Sequence, residues 1–167
     1  MVEKRVASGD VNAMRNLACH YSRGDMGLPQ NYKKAMKLWL RAGELGCAMA
    51  YNNLGASYEI GRGVVRDEKK ANHYYALAAM GGNAMARHNL GAAEYNAGNM
   101  NRAVQHWMIS SAAGLDDSLS AVRKCFMHGY ATKDDFEKAL RAHKDAKDEM
   151  KSEQRDAAVA ASAQIDD

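Results

Sequence analysis

The chain has few cysteines, no long apolar run and no large excess of either charge. Its three cysteines, Cys19, Cys47 and Cys125, are an odd number at unrelated positions. They exclude a regular disulfide framework and fit reduced thiols in a cytoplasmic or nuclear compartment. No apolar stretch approaches the roughly 20 residues that a membrane-spanning helix needs, and the opening MVEKRVASGD lacks the apolar segment of a signal peptide. A net charge of +3 over 167 residues falls short of the basic stripe of a dedicated nucleic-acid binder. Apolar residues at 47% and charged residues at 26% describe an ordinary chain able to bury a shared core.

What the chain does have is a recurring pattern. Gly9, Gly46, Gly82 and Gly114 stand 37, 36 and 32 residues apart. Four residues after each comes Ala13, Ala50, Ala86 or Ser118, and four further on Leu17, Leu54, Leu90 or Val122. An aromatic follows at Tyr21, Tyr58 and Phe126, then a glycine at Gly24, Gly61 and Gly129. The second half of each unit repeats as well, with Ala35, Ala71, Ala103 and Ala139 preceding Trp39, Tyr75, Trp107 and His143. A period of this size marks an array of small helical units, none able to bury its apolar face alone.

In the second unit the interval of four places Ala50, Leu54 and Tyr58 on one helical stripe. Gly61 closes that helix in a left-handed conformation, and Asp67 caps the next, expected from Glu68 to Met80. Ala71, Tyr74, Tyr75 and Ala78 form the facing stripe, whose small residues, with Gly55, let the two helices approach closely. The first unit follows the same plan, and the fourth uses Gly129 with Thr132 as cap. The third has only Asn96 to Met100 between its helices, and Glu94-Tyr95 replaces the single aromatic, which predicts a tight turn and a slip of one residue. Residues 1–8 are expected to form a partial capping helix or the remnant of a preceding repeat. Four repeats follow at 9–45, 46–81, 82–113 and 114–149, and residues 150–167 form a charged, alanine-rich extension of the last helix or a disordered tail.

The strings SRGDMGLPQNYKKAMKLWLRAGELG (Ser22 to Gly46) and NLGASYEIGRGVVRDEKKANHYYALAAMGG (Asn53 to Gly82) resemble Sel1-like repeats, the glycine-rich relatives of tetratricopeptide repeats. The resemblance covers about Gly9 to Glu149. It implies an all-α, right-handed α-solenoid of four antiparallel helix pairs. It also implies a scaffold or adaptor that binds a partner protein or extended peptide, as monomer or part of a larger complex, in settings such as quality control, ubiquitination or signalling. Secreted bacterial relatives carry paired cysteines in each repeat and are linked to penicillin binding; the three cysteines here do not match that framework.

No residue set points to catalysis, and no cofactor is expected. His20, His73, His88, His106, His128 and His143 form no His-Glu-x-x-His pattern, and no Cys-x-x-Cys occurs, so no metal site is expected. Cys47 starts a helix without a neighbouring base or cation and reads as a packing residue. Asp116-Asp117 and Asp134-Asp135 stand at helix starts, where carboxylates cap free N–H groups; Asp166-Asp167 ends the chain. Gly61-Arg62-Gly63 follows a helix and lacks a lysine sequel, so it reads as a loop and not a phosphate cradle. The methionines, among them Met36, Met49, Met80, Met85, Met100 and Met108, lie beside core columns and are expected to fill the core. Lys33-Lys34, Lys69-Lys70 and Arg123-Lys124 read as solvated pairs.

A surface remains. In related repeats the first helix of each pair lines a concave groove, so positions two residues either side of the repeat leucine are expected there. These are Arg15, Asn52, His88 and Ser120 before it, and Cys19, Ala56, Ala92 and Lys124 after it. Ser22, Arg23, Glu59, Met127 and His128 flank the same groove. Long donors at Arg15 and Lys124, with an amide and an imidazole between, suit an extended peptide with acidic or carbonyl groups. Two other classes stay open: a small-ligand-binding or hydrolytic repeat protein, which needs converging titratable groups, and an RNA-binding helical repeat, whose affinity falls steeply with salt.

Overall fold

The computed structural model describes residue 6 and residues 9–163. Among these residues there are eight helices and no strand: α1 (Val11–Arg23), α2 (Tyr32–Glu44), α3 (Ala48–Ile60), α4 (Glu68–Met80), α5 (Ala84–Asn96), α6 (Met100–Ala112), α7 (Asp116–Met127) and α8 (Lys133–Ala163). Of the expected capping segment 1–8 only Val6 is described, packed against the first core cluster; Asp166-Asp167 lies outside the described residues.

Local chemistry sets the helix ends. Asp10, Asn31, Asp67 and Asn83 each accept a hydrogen bond from the backbone N–H three residues on, at 2.9, 3.0, 3.0 and 2.8 Å, satisfying donors that the first turn leaves free. Thr132 and Asp135 cap α8 reciprocally. Thr132 Oγ1 accepts from Asp135 N at 3.1 Å, and Asp135 Oδ2 accepts from Thr132 N at 2.9 Å. Thr132 Oγ1 also donates to Asp135 Oδ2 at 2.6 Å, and that bond, then the one from the Thr132 backbone, holds the Asp135 carboxyl below its ordinary range. The four repeat glycines have φ of +85°, +94°, +83° and +83°, a left-handed turn that glycine adopts without strain. Between α5 and α6 the expected tight turn is present, and Tyr95 settles on Trp107 with ring centroids 5.7 Å apart.

The chain divides into two compact units, Met1–Leu90 and Gly91–Asp167, with the boundary inside α5. In the first, successive helices pack in order: α1 on α2, α2 on α3, α3 on α4. Its core holds Met14, Ala18, Ala35, Trp39, Ala42, Ala50 and Leu54, followed by Ala71, Tyr75, Ala78, Ala79 and Ala86. The aromatic of the second helix lies over a residue with little or no side chain on the first. A Cβ added to Gly55 would sit 2.5 Å from Tyr75 Cδ1. Tyr75 is 1% exposed, yet its hydroxyl donates to Glu59 Oε2 at 2.7 Å. Burial, and then that bond, push the phenol well above its ordinary pKa.

In the second unit α6, α7 and α8 pack against one another around Ala103, Val104, Trp107, Val122, Cys125, Ala131 and Ala139. Gly91 repeats the arrangement of Gly55: a Cβ there would lie 2.6 Å from Trp107 Nε1. Burial raises the Cys125 pKa and keeps it a thiol. His143, in the aromatic column, instead bonds through Nε2 to Asp116 Oδ1 at 2.8 Å, while Lys147 Nζ donates to Asp116 Oδ2 at 3.1 Å. Phe126 and Phe136 stack at 5.4 Å, and the Met150 methyl lies 2.5 Å from where a Gly114 Cβ would sit.

The methionines correct one expectation. Met14 is fully buried, and Met36 and Met108 pack against the core. Met49, Met80 and Met85 are exposed, because each sits a position away from its buried alanine, turned past the edge of the packing stripe.

Leu54 is 2% exposed, and Leu54→Ala lowers unfolding free energy by about 2 to 5 kcal/mol. Ala71→Leu, at a position also 2% exposed, lowers it by about 1 to 3 kcal/mol through overpacking. Urea unfolding followed by circular dichroism measures both. Asp116 is held below its ordinary pKa first by the bond from Lys147, then by that from His143. A carboxyl depressed in the folded state adds stability above its unfolded pKa and loses it as pH falls through the folded value. Asp116→Asn therefore melts below the parent at neutral pH, and the gap closes on acidification below the ordinary carboxylate range; a gap independent of pH contradicts this.

Candidate functional site

Packing α1 and α3 on α2 leaves part of each outer helix unused. On α3 the residues Asn53, Ala56, Ser57 and Ile60 recur at the three- and four-residue spacing of one helical stripe, and Cys19, Ser22 and Arg23 do the same on α1. These stripes, with Trp39 and Arg62, line a trough of about 260 Å³ within the first unit.

Most of its small polar groups are already engaged. Ser22 Oγ donates to Cys19 O at 2.8 Å, Ser57 Oγ donates to Asn53 O at 2.9 Å, and Asn53 Nδ2 points at Cys19 Sγ at 3.9 Å. Arg23 Nε pairs with Asp25 Oδ2 at 2.8 Å, and His20 Nδ1 meets Asp25 Oδ1 at 2.5 Å. The hydrogen bond with His20, and then the charge of Arg23, hold the Asp25 carboxyl below its usual range. Two donors stay without an acceptor. The Arg62 guanidinium is exposed, and Trp39 Nε1 is buried with no hydrogen-bond partner in a ring only 5% exposed. An orphaned buried N–H is costly enough to be uncommon. No carboxylate lines the trough, and its only charged side chains are arginines. The lining therefore favours an occupant carrying acceptors: carboxylates or backbone carbonyls.

The expected groove residues divide. Cys19, Ser22, Arg23 and Ala56 line the trough together. Arg15 lies a turn earlier on α1, its guanidinium bonded to Asn16 Oδ1 at 3.0 Å and directed at Met49 Sδ at 3.8 Å. Asn52 is half-buried and outside the lining, its Oδ1 enclosed without a partner. Glu59 is taken up by Tyr75, and His88 is half-buried on α5. Ser120 and Lys124 belong to the second unit, exposed one turn apart on α7. Counting two residues either side of the leucine missed Asn53, Ser57, Ile60, Arg62 and Trp39. A helical face recurs at three and four residues, which was the available signal for the first three. Among the described residues no group of three or more His, Cys, Asp or Glu is placed to hold a metal ion, and no helix is long and apolar enough to cross a membrane.

Compared with known families, residues 11–47 and 48–83 each match the Sel1 repeat. Among solved structures, a Sel1 repeat protein from Oxalobacter formigenes superposes with a TM-score of 0.76 at 24% identity, over 88% of this chain and 62% of that one. A protective antigen present in uropathogenic Escherichia coli strains, which displays an SLR fold, superposes with a TM-score of 0.75 at 26% identity, over 89% of this chain and 32% of that one. The chain thus spans less than two thirds of either protein's length. No functionally curated protein matches it.

Arg62→Ala leaves the unfolding curve unchanged, because the side chain is exposed and unpartnered. Trp39→Ala costs about 3 to 5 kcal/mol. Denaturant unfolding of the two variants checks this separation of a dispensable wall from a structural base.

Proposed function

Because the chain carries two Sel1 repeats, we propose that it is a protein-interaction scaffold whose α1–α3 trough holds an extended segment of a partner protein. The observation that carries this reading is the exposed Arg62 guanidinium, left unpaired in the trough with no carboxylate in the lining. An acidic side chain or an unpaired backbone carbonyl supplies what that donor lacks, and charge-assisted bonds from arginine are the stronger kind. Binding fits this lining better than catalysis does. Cys19 has an amide and a serine beside it there instead of a base, and His20 is turned to Asp25. Sel1 repeats typically act as interaction scaffolds, in keeping with this.

The test is a photo-crosslinking amino acid at Ile60, which lines the trough and is 57% exposed. In extract of the source cell it forms a discrete adduct with a partner. A second crosslinker at Ile109, 54% exposed in the other unit, does not form that adduct. Adding Arg23→Glu and Arg62→Glu removes the Ile60 adduct while the helical circular dichroism is retained. An adduct that survives both charge reversals, or that forms equally from Ile109, contradicts the proposal.

A further inference from the structure

A separate trough of about 310 Å³ lies between α2 and α4 in the first unit and shares no lining residue with the one above. Met36, Leu40 and Val64 form its apolar walls, over Tyr58 and Tyr74. Leu40 stays 38% exposed although it is a large aliphatic residue. The wall from the α3–α4 loop is fixed: Gly63 has φ +76°, and a Cβ there would collide with Tyr32 of α2. The trough is therefore formed before any occupant arrives, which reduces the ordering that binding requires.

Its charges are of one sign. Lys33 and Lys37, one turn apart on α2, line it with no ion-pair or hydrogen-bond partner, and no acidic residue lines it. Their neighbours are engaged: Lys34 Nζ lies 5.1 Å from the centroid of Tyr21, and Lys70 Nζ lies 5.4 Å from that of Tyr58 and 3.8 Å from Asp67 Oδ2. The ring faces are engaged too. Tyr74 stacks on Tyr51 at 6.0 Å and on Tyr58 at 5.6 Å, with Lys70 over Tyr58. No tyrosine face is left for a nucleobase to stack on, which removes the usual mode of single-stranded RNA binding. An aliphatic and thioether slot takes a large apolar side chain, and two unpaired ammonium groups a helical turn apart take carboxylates on either side of it.

We infer that this trough is a second protein-binding site, and that it takes a short acidic segment in which carboxylates flank a leucine or phenylalanine. Complementary charge sets its selectivity, and the apolar side chain anchors it.

The probe is a fluorescein-labelled peptide, Asp-Glu-Leu-Phe-Glu-Asp, followed by fluorescence anisotropy with the full chain. Saturable binding is expected. The double variant Lys33→Glu, Lys37→Glu and the single variant Leu40→Glu each weaken it by about tenfold or more. Lys151→Glu with Arg155→Glu, the same charge change on α8, leaves it unaltered. A peptide with Ser-Ser in place of Leu-Phe binds at least about tenfold more weakly. Circular dichroism of each variant confirms folding, and Lys33→Gln with Lys37→Gln replaces the charge reversal if that pair misfolds. The inference is overturned by no saturable binding up to about 1 mM, by equal losses from the α8 variant, or by undiminished binding of the serine peptide. Lysine-dependent binding of phosphatidylglycerol vesicles without peptide binding overturns it as well.

Discussion

Where α3 meets α4 and where α5 meets α6, a large aromatic side chain is set against a backbone that carries almost no side chain of its own. Tyr75 lies on Gly55 and Trp107 on Gly91, each glycine directly following a repeat leucine, while Ala18 follows Leu17 in the core cluster that holds Trp39. The ring occupies the volume that a Cβ would need, so the spacing of the pair is set by the thickness of an aromatic ring on bare helix. Everything packed around it follows from that spacing: the alanines at Ala35, Ala71 and Ala103 with no measurable or almost no exposure, and the room left for Leu54. Where the aromatic gives way to His143, the packing changes with it. There a charged cluster on Asp116 and the stacked Phe126–Phe136 pair join the last helices.

The same constraint decides what is available for binding. Each helix spends one stripe on its partner and leaves others open, and the troughs lie where open stripes of neighbouring helices face one another. Their chemistry is what internal pairing did not consume. Ser22, Ser57, Arg23 and Lys70 are satisfied within the protein, whereas Arg62, Lys33 and Lys37 are not. Both troughs consequently carry unpaired donors or cations and no carboxylate, and acidic partner segments are the common thread of the two sites proposed in the first unit.

Much of this was legible in the residues. Gly61 and Asp67 marked the end of one helix and the start of the next because a left-handed turn and a side-chain cap each restrict residue choice severely. Gly55 announced the close approach, since glycine inside a helix is unfavourable unless something needs its missing side chain. The surface was harder to read. Met49 and Met85 flank buried Ala50 and Ala86, and one position around a helix separates core from solvent while hydrophobicity alone does not. Asn53 was passed over for Asn52 through the same ambiguity of about a quarter turn. Trp39 announced itself as packing, which it is, and only the folded structure shows its N–H without an acceptor. Glu59 gave no sign that a buried Tyr75 sixteen residues away would claim it.

The aromatic and the bare helix position form one energetic unit. A double-mutant cycle in urea unfolding tests it with Gly55→Ala, Tyr75→Leu and the pair. Each single variant is destabilised, and the pair is more stable than their sum by about 1 to 3 kcal/mol, because the smaller side chain makes room for the added methyl. Strictly additive losses would show that Gly55 and Tyr75 act independently and that helix spacing is set elsewhere.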